Sequence, residues 1–273
     1  MSLPLSDDNF VSKVSLARTH IKVLNQYLNL SLNEATLYEF GAGWDLTVPL
    51  AFYALGVEHQ ILIDIRNLLR VEIINDIIEK FQRMHVSLGL QRKPNQFIDH
   101  GWNQLKTYYG IEYKAPCDAR NVGLISGSID CITSTYTLEH IPPQDIQAML
   151  FECHRLLRDD GIASFCIDYQ DHYSYFDSSI SVYNFLKYSN KTWRLYNPDL
   201  HYQNRLRHQD FIALFDMVGF DVVDEHCMKV EKDDIETLKQ LPLSDHFKKY
   251  SLENLAVRNA HIILRKQRTT ATV

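Results

Sequence analysis

No apolar stretch in this chain approaches the roughly 20 consecutive residues that a membrane-spanning helix needs. An integral helical membrane protein is thereby excluded. A basic excess is also missing: 28 Lys and Arg stand against 34 Asp and Glu, a formal charge of −6. A general nucleic-acid binder would show the opposite balance. The short run Arg265-Lys266-Gln267-Arg268 reads as a solvated terminal edge. The five cysteines (117, 131, 153, 166 and 227) are odd in number and contain no CxxC pair. They supply neither a disulfide framework nor a cysteine zinc site, and imply free thiols in a reducing compartment. Met1 to Phe10 carries two aspartates and no apolar core, unlike a secretory leader. A cytoplasmic protein is expected. Internal repeats and low-complexity segments are absent.

What is present suits a soluble enzyme. Hydrophobic residues make up 45% of 273, enough for one large domain or one domain with an insertion. Apolar runs with strand character alternate with helical periodicity. Phe10 to Leu30 places Val14, Ala17, Ile21, Leu24 and Leu28 at helical spacing. A strand at Thr36 to Phe40 precedes a helix near Leu46 to Leu55, with Pro49 in its first turn. A second strand ends at Asp64, a long helix is expected over Asn67 to Leu88, and Lys93 to Gly101 reads as a loop. The third strand is placed within Tyr108 to Tyr113, the fourth at Ile129 to Thr133 and the fifth at Ile162 to Asp168, after a helix from Pro143 to Leu157. Gln209 to Val218 reads as a helix, followed by strands at Phe220 to Val223 and His261 to Leu264. Such alternation predicts a parallel sheet with helices on both faces.

The first strand ends in Glu39-Phe40-Gly41-Ala42-Gly43-Trp44. Two glycines between a strand and a helix N-terminus allow a tight turn and close approach of a nucleotide-type ligand. Asp64 closes the second strand about 20 residues on, where a carboxylate grips ribose hydroxyls. A dinucleotide fingerprint would place a small residue where this chain has Leu46. An acid ahead of the first glycine would also repel phosphates, whereas it suits a cation.

These blocks resemble the class I S-adenosylmethionine (SAM)-dependent methyltransferases, in the branch of the type 11 methyltransferase domain. Glu39-x-Gly41-x-Gly43 matches that family's glycine turn. Cys117-Asp118-Ala119 resembles the segment whose acid accepts from the adenine amino group. Ser128 to Ser134, leading into Leu138-Glu139-His140-Ile141, resembles strand four and its loop. Leu156-Leu157-Arg158-Asp159-Asp160-Gly161 is similar to the helix end and turn before strand five, with Asp159-Asp160 replacing the usual Lys-Pro or Pro-Gly. The likeness runs from Thr36 to Asp171, and more weakly from Leu206 to Lys266. It implies a Rossmann-like, doubly wound seven-stranded α/β sheet, mostly parallel with an antiparallel last strand. It also implies SAM as cofactor, held by Glu39, Gly41, Ala42, Gly43, Asp64, Ile65, Asp118, Ala119 and Ser134. The expected organisation is an N-terminal helical cap (1–35), the SAM-binding core (36–168), an insertion forming a lid and acceptor pocket (169–207), and the end of the core sheet (208–273).

Methyl transfer needs alignment of the two reactants, and a hydroxyl acceptor gains from a base. His172, which Asp168 or Asp171 could orient, and His140 are the candidates. The insertion is rich in tyrosine and follows strand five, on the ligand-binding edge of such sheets. Some of its rings must build its own small core, Phe185 among them. Tyr169, Asp171, Tyr173, Asn204 and Arg205 are the candidate acceptor-binding residues. Arg205 could grip a phosphate or carboxylate or form an internal ion pair with Asp168 or Asp171. This polar-aromatic mixture suits a small molecule or carbohydrate acceptor with hydroxyls. The insertion also resembles methyltransferases of bacterial surface polysaccharides and specialised metabolites. Some relatives read Glu, two residues, Glu, His in the strand-four loop and bind a divalent ion there. Tyr136 replaces the first glutamate here, and two ligands on one loop make a poor site, so no metal is expected. The alternatives are an NAD(P)-type Rossmann oxidoreductase and a non-catalytic SAM-binding protein.

Overall fold

The computed structural model describes residues 5–99 and 101–268. Residues 1–4, within the stretch Met1 to Phe10, residue 100, in the Lys93 to Gly101 loop, and residues 269–273 lie outside the described residues. Seven strands form one mixed sheet in the order β3-β2-β1-β4-β5-β7-β6. They are β1 (Thr36–Phe40), β2 (His59–Ile63), β3 (Ile111–Lys114), β4 (Ile129–Thr135), β5 (Leu157–Asp168), β6 (Phe220–Cys227) and β7 (Asn259–Lys266). β1 pairs in parallel with β2 and with β4, β2 with β3, and β6 runs antiparallel to β7. The reversal in strand order beside β1 is the topological switch point at which open α/β sheets bind ligands. This is the expected Rossmann-like seven-stranded sheet.

Two compact units divide the chain, Met1–Ser134 with Glu152–Ser164, and Thr135–Phe151 with Phe165–Val273. In the first, helix α1 (Asp7–Tyr27) starts at Ser6, whose side chain accepts from Asn9 N, with Asp7 and Asp8 in the first turn opposing the helix dipole. Phe10, Val14, Ala17, Ile21 and Leu24 form its buried stripe, and Phe10 meets Phe81 edge to face at 4.8 Å. Helix α2 (Thr47–Ala54) carries Pro49 as its third residue, where no N–H is required, and α3 spans Val71–Met84.

Three differences from the sequence reading have local causes. Tyr108 and Tyr109 belong to helix α4 (Asn103–Tyr109), not to the third strand. Gly110 ends that helix in a left-handed conformation (φ 67°), and a Cβ there would stand 1.8 Å from the Glu58 carbonyl oxygen. Helix propensity and this glycine stop outweigh the strand preference of two tyrosines. Leu157 to Gly161 are the first part of β5, which starts directly after helix α5 (Pro143–Leu156) without a turn. Helix α3 begins at Val71, not Asn67.

The second unit holds the short helix α6 (Asn190–Tyr196), α7 (His208–Val218), α8 (Lys232–Gln240) and α9 (Leu252–Ala256). The sequence reading did not anticipate α8 and α9. They close a core in which Leu238, Phe247, Tyr250 and Leu255 pack with Tyr183, Phe185, Leu186 and Trp193 of the insertion. Phe185 is therefore a core ring, as expected.

Candidate active site

Strand ends position the residues of the first unit that the sequence reading assigns to the cofactor. Gly41 (φ 75°) and Gly43 (φ 72°) both take left-handed backbone that other residues avoid. Asp64 ties this turn to the end of β2: its Oδ2 accepts from Gly43 N at 3.2 Å and its Oδ1 from Arg66 N at 3.0 Å. Beside it Ile65 leaves 65% of its surface exposed, an uncovered apolar side chain next to the carboxylate. Glu39 is buried on β1, with a long 3.4 Å bond from Thr133 Oγ1. Burial pushes its carboxyl up to about 8, against small opposing pulls from Thr133 and Lys13. Asp118 is held by Arg120 through Nε and Nη2, which keeps it below the usual carboxylate range. Ser134 ends the buried run of β4, and its hydroxyl makes no hydrogen bond. The sequence reading missed Asp45, which caps Thr47 N and pairs with Lys13 at 2.6 Å. Leu46 follows in a left-handed conformation (φ 52°) that is costly for a branched side chain.

The second unit brings both candidate histidines together. Leu138–His140 form a short 3-10 turn after β4, and His172–Tyr175 form another after β5. The ring centroids of His140 and His172 are 5.0 Å apart. His172 Nε2 lies 3.2 Å from Asp168 Oδ2, and its ring stacks on Tyr175 at 5.3 Å. Tyr175 also donates its hydroxyl to Asp168. Burial alone would raise Asp168, yet the bonds from His172, Tyr175 and Gln170 outweigh it and hold the carboxyl below its ordinary value. His140 Nδ1 lies 2.9 Å from the Tyr202 carbonyl oxygen. Desolvation by the surrounding loops lowers its pKa, and neighbouring His172 adds to that. Glu139 is buried, and neither carboxylate oxygen completes a hydrogen bond. Burial raises it well above the carboxylate range, only partly offset by backbone N–H groups that lean toward it. Tyr136, just after β4, is a second non-glycine residue with positive φ (53°). The sequence reading weighs Tyr136 and Glu139 only as parts of a metal loop and gives Tyr175 no separate role, because their contacts depend on partners brought in by another strand end.

The expected acceptor-binding residues have different surroundings. Asp171 caps the turn at Tyr173 N (2.9 Å) and accepts from Asn184 (3.1 Å), so Asp168, not Asp171, orients His172. Asn204 donates to the Leu138 and Ile141 carbonyls at 2.8 and 2.9 Å and thereby clamps the loop that carries Glu139 and His140. Tyr169 is buried, with its hydroxyl 3.2 Å from His208 Nδ1. Arg205 donates to the Phe185 and Tyr188 carbonyls and to Asn190, at 2.6–2.7 Å. The internal ion pair with Asp168 or Asp171 is not formed. Tyr173 is half-exposed, with its hydroxyl donating to the Tyr196 carbonyl.

Strand-end carboxylates beside a glycine turn, on this sheet order, are the arrangement on which α/β folds bind nucleotide-type cofactors. The comparisons sharpen that class. The family model described as a methyltransferase domain matches residues 99–165. No curated protein matches the chain. Among solved structures, the chain is similar to geranyl diphosphate C-methyltransferase of Streptomyces coelicolor A3(2), solved with Mg2+, geranyl diphosphate and S-adenosyl-L-homocysteine. The TM-score is 0.53 at 9% identity, covering 97% of this chain and 86% of that one. It is also similar to the methyltransferase in complex with the Haloferax volcanii Trm112 activator (TM-score 0.51, 11% identity, 96% and 95% covered). The YcgJ protein of Bacillus subtilis follows (TM-score 0.50, 17% identity, 94% and 98% covered). At these identities the likeness speaks for the fold. The chain carries the class I SAM-dependent methyltransferase fold, and the matched segment is that of a methyltransferase domain.

Proposed function

We propose that this SAM-dependent methyltransferase acts on a hydroxyl of a polar small molecule or of a sugar or glycan precursor. The observation that carries the reading is the hydrogen-bonded set Asp168, His172 and Tyr175 with His140 beside it. Each of these residues lies at or just after the C-terminal end of β4 or β5, the edge where such sheets bind ligands. Asp168 accepts from His172 Nε2 and so leaves Nδ1 with a lone pair. In the reaction the acceptor oxygen attacks the methyl carbon. The C–O bond forms, the C–S bond breaks with its electron pair going to sulfur, and His172 takes the hydroxyl proton. Glu39, Gly41, Ala42, Gly43, Asp64, Ile65, Asp118, Ala119 and Ser134 hold the cofactor in this reading, and the insertion 169–207 shapes the acceptor pocket. Free thiols at all five cysteines support a cytoplasmic setting, and no helix among the described residues is long and apolar enough to cross a membrane.

A methyl-transfer assay across sugar nucleotides, glycans and phenolics tests the acceptor class. His172→Ala should lower turnover by about 10²–10⁴-fold with SAM affinity retained. Turnover abolished by His140→Ala but untouched by His172→Ala would reject this base assignment.

A further inference from the structure

We propose that Glu139, His140 and His172 form a binding site for one divalent transition-metal ion, with two imidazoles and one carboxylate as ligands. One ligand atom from each residue lies within 4.8 Å of the others. Three ligands at about 2.0–2.2 Å in a tetrahedral arrangement stand about 3.3–3.6 Å apart. Side-chain adjustments of about an ångström close the site. The third ligand, from the end of β5, is what one loop alone could not supply.

The hydrogen bonds around the cluster point the same way. His140 gives its Nδ1 proton to the Tyr202 carbonyl, leaving Nε2 with a lone pair. His172 gives its Nε2 proton to Asp168, leaving Nδ1 with a lone pair. These tautomers follow from the acceptors present. A backbone carbonyl and a carboxylate are the outer partners that fix metal-binding histidines. Both imidazole N–H groups are thus committed elsewhere. Glu139, buried and without a hydrogen bond on either oxygen, receives no proton donor from the two rings beside it. Nitrogen-rich ligands of this type favour Zn2+, Co2+, Fe2+ or Mn2+ over Ca2+. Three protein ligands also leave positions open, as catalytic metal sites do.

The use of the ion rests on the hydroxyl-methylation reading; its binding does not. Held by Glu139, His140 and His172, the ion would supply Lewis acidity to an acceptor hydroxyl, and His172 would then serve as a ligand in place of its role as base.

The test uses the full chain carrying Cys227→Ser, which removes the competing His208, Glu225 and Cys227 cluster. After chelation and dialysis, Co2+ is titrated while its visible absorption is read, and Zn2+ binding is followed by calorimetry. One equivalent should bind with imidazole-type d–d bands. Glu139→Gln and His140→Ala should each weaken binding more than about tenfold while far-UV circular dichroism stays unchanged. If Glu139→Gln fails to fold, His140→Ala and His172→Ala supply the same readout. Absence of stoichiometric binding, or binding indifferent to these substitutions, overturns the proposal. Neither methyl donor nor acceptor enters the experiment. A failed metal titration therefore leaves the methyl-transfer reading standing, and a failed transfer assay leaves the metal site standing.

Discussion

In the proposed cofactor site, the buried acid of the glycine turn makes cofactor binding depend on pH in a calculable way. Glu39 has a pKa of about 8 without ligand, because burial disfavours its charge. SAM brings a cationic sulfonium and ammonium, so the bound state favours the ionised carboxylate. At pH 7 a group with that pKa is ionised about one time in eleven. Apparent affinity at pH 7 should then be about tenfold, or about 1.4 kcal/mol, below that at pH 9. Each binding event at pH 7 should also release about 0.9 proton. The ligand's own amino group titrates near 7.7–8.0, the usual α-amino range, and would blur the wild-type curve. Dividing by the curve of Glu39→Gln removes that contribution. Calorimetry from pH 6 to 9, in two buffers of different ionisation enthalpy, gives both the ratio and the proton count. The same group has a linked effect on the ligand-free fold. Its folded pKa is raised, so stability is fully present below about 4.5. It then falls by about 1.4 kcal/mol per pH unit until about pH 8 as the unfolded chain ionises first. A pH-independent ratio together with no proton release would refute the reasoning.

Three further outcomes follow from particular contacts. Asp64→Ala removes the carboxylate that holds Gly43 N and that, in the proposed cofactor site, holds the ribose. SAM affinity by calorimetry should fall about ten- to hundredfold, at about 1.5–3 kcal/mol per charge-assisted bond. Gly110→Ala sets a Cβ 1.8 Å from the Glu58 carbonyl oxygen at φ 67° and should cost more than about 2 kcal/mol, read as a drop in Tm. Arg207 is fully buried and donates to the Tyr169, Leu255 and Val257 carbonyls. Arg207→Lys lacks the fork that spans all three and should cost about 3 kcal/mol in chemical denaturation; an unchanged midpoint would mean those carbonyls find other donors.

The sheet was legible because its determinants are local. β1, β2 and β4 are short apolar runs bounded by glycine, aspartate or serine, and their pattern survives without knowing a single contact. Gly41, Gly43 and Asp64 were legible for the same reason, since a turn and the carboxylate closing the next strand are fixed by spacing along the chain. α8 and α9 were not, because α8 is mostly charged and its buried face reduces to Asp234 and Leu238. Only packing against the insertion core shows why it exists. Gly110 was likewise silent in the sequence. Its meaning lies in the Glu58 carbonyl oxygen, more than fifty residues away.

The insertion shows that polar richness also serves the fold itself. A segment without strands and with only short helical turns leaves many carbonyl oxygens unpaired, and each buried one needs a donor. Arginine and asparagine supply those donors from one side chain. Arg205 serves Phe185 and Tyr188, Arg207 serves Tyr169, Leu255 and Val257, and Asn204 serves Leu138 and Ile141. The donors that the sequence offered to an acceptor are thus the means by which an irregular chain stays folded. Removing them from the account leaves a narrower set around the strand ends: Glu139, His140, Asp168, His172 and Tyr175. Asn204 connects the two groups, because its clamp on Leu138 and Ile141 fixes the turn between them. Asn204→Ala should therefore disturb the chemistry of His140 and Glu139 through their positions, without either residue having been changed.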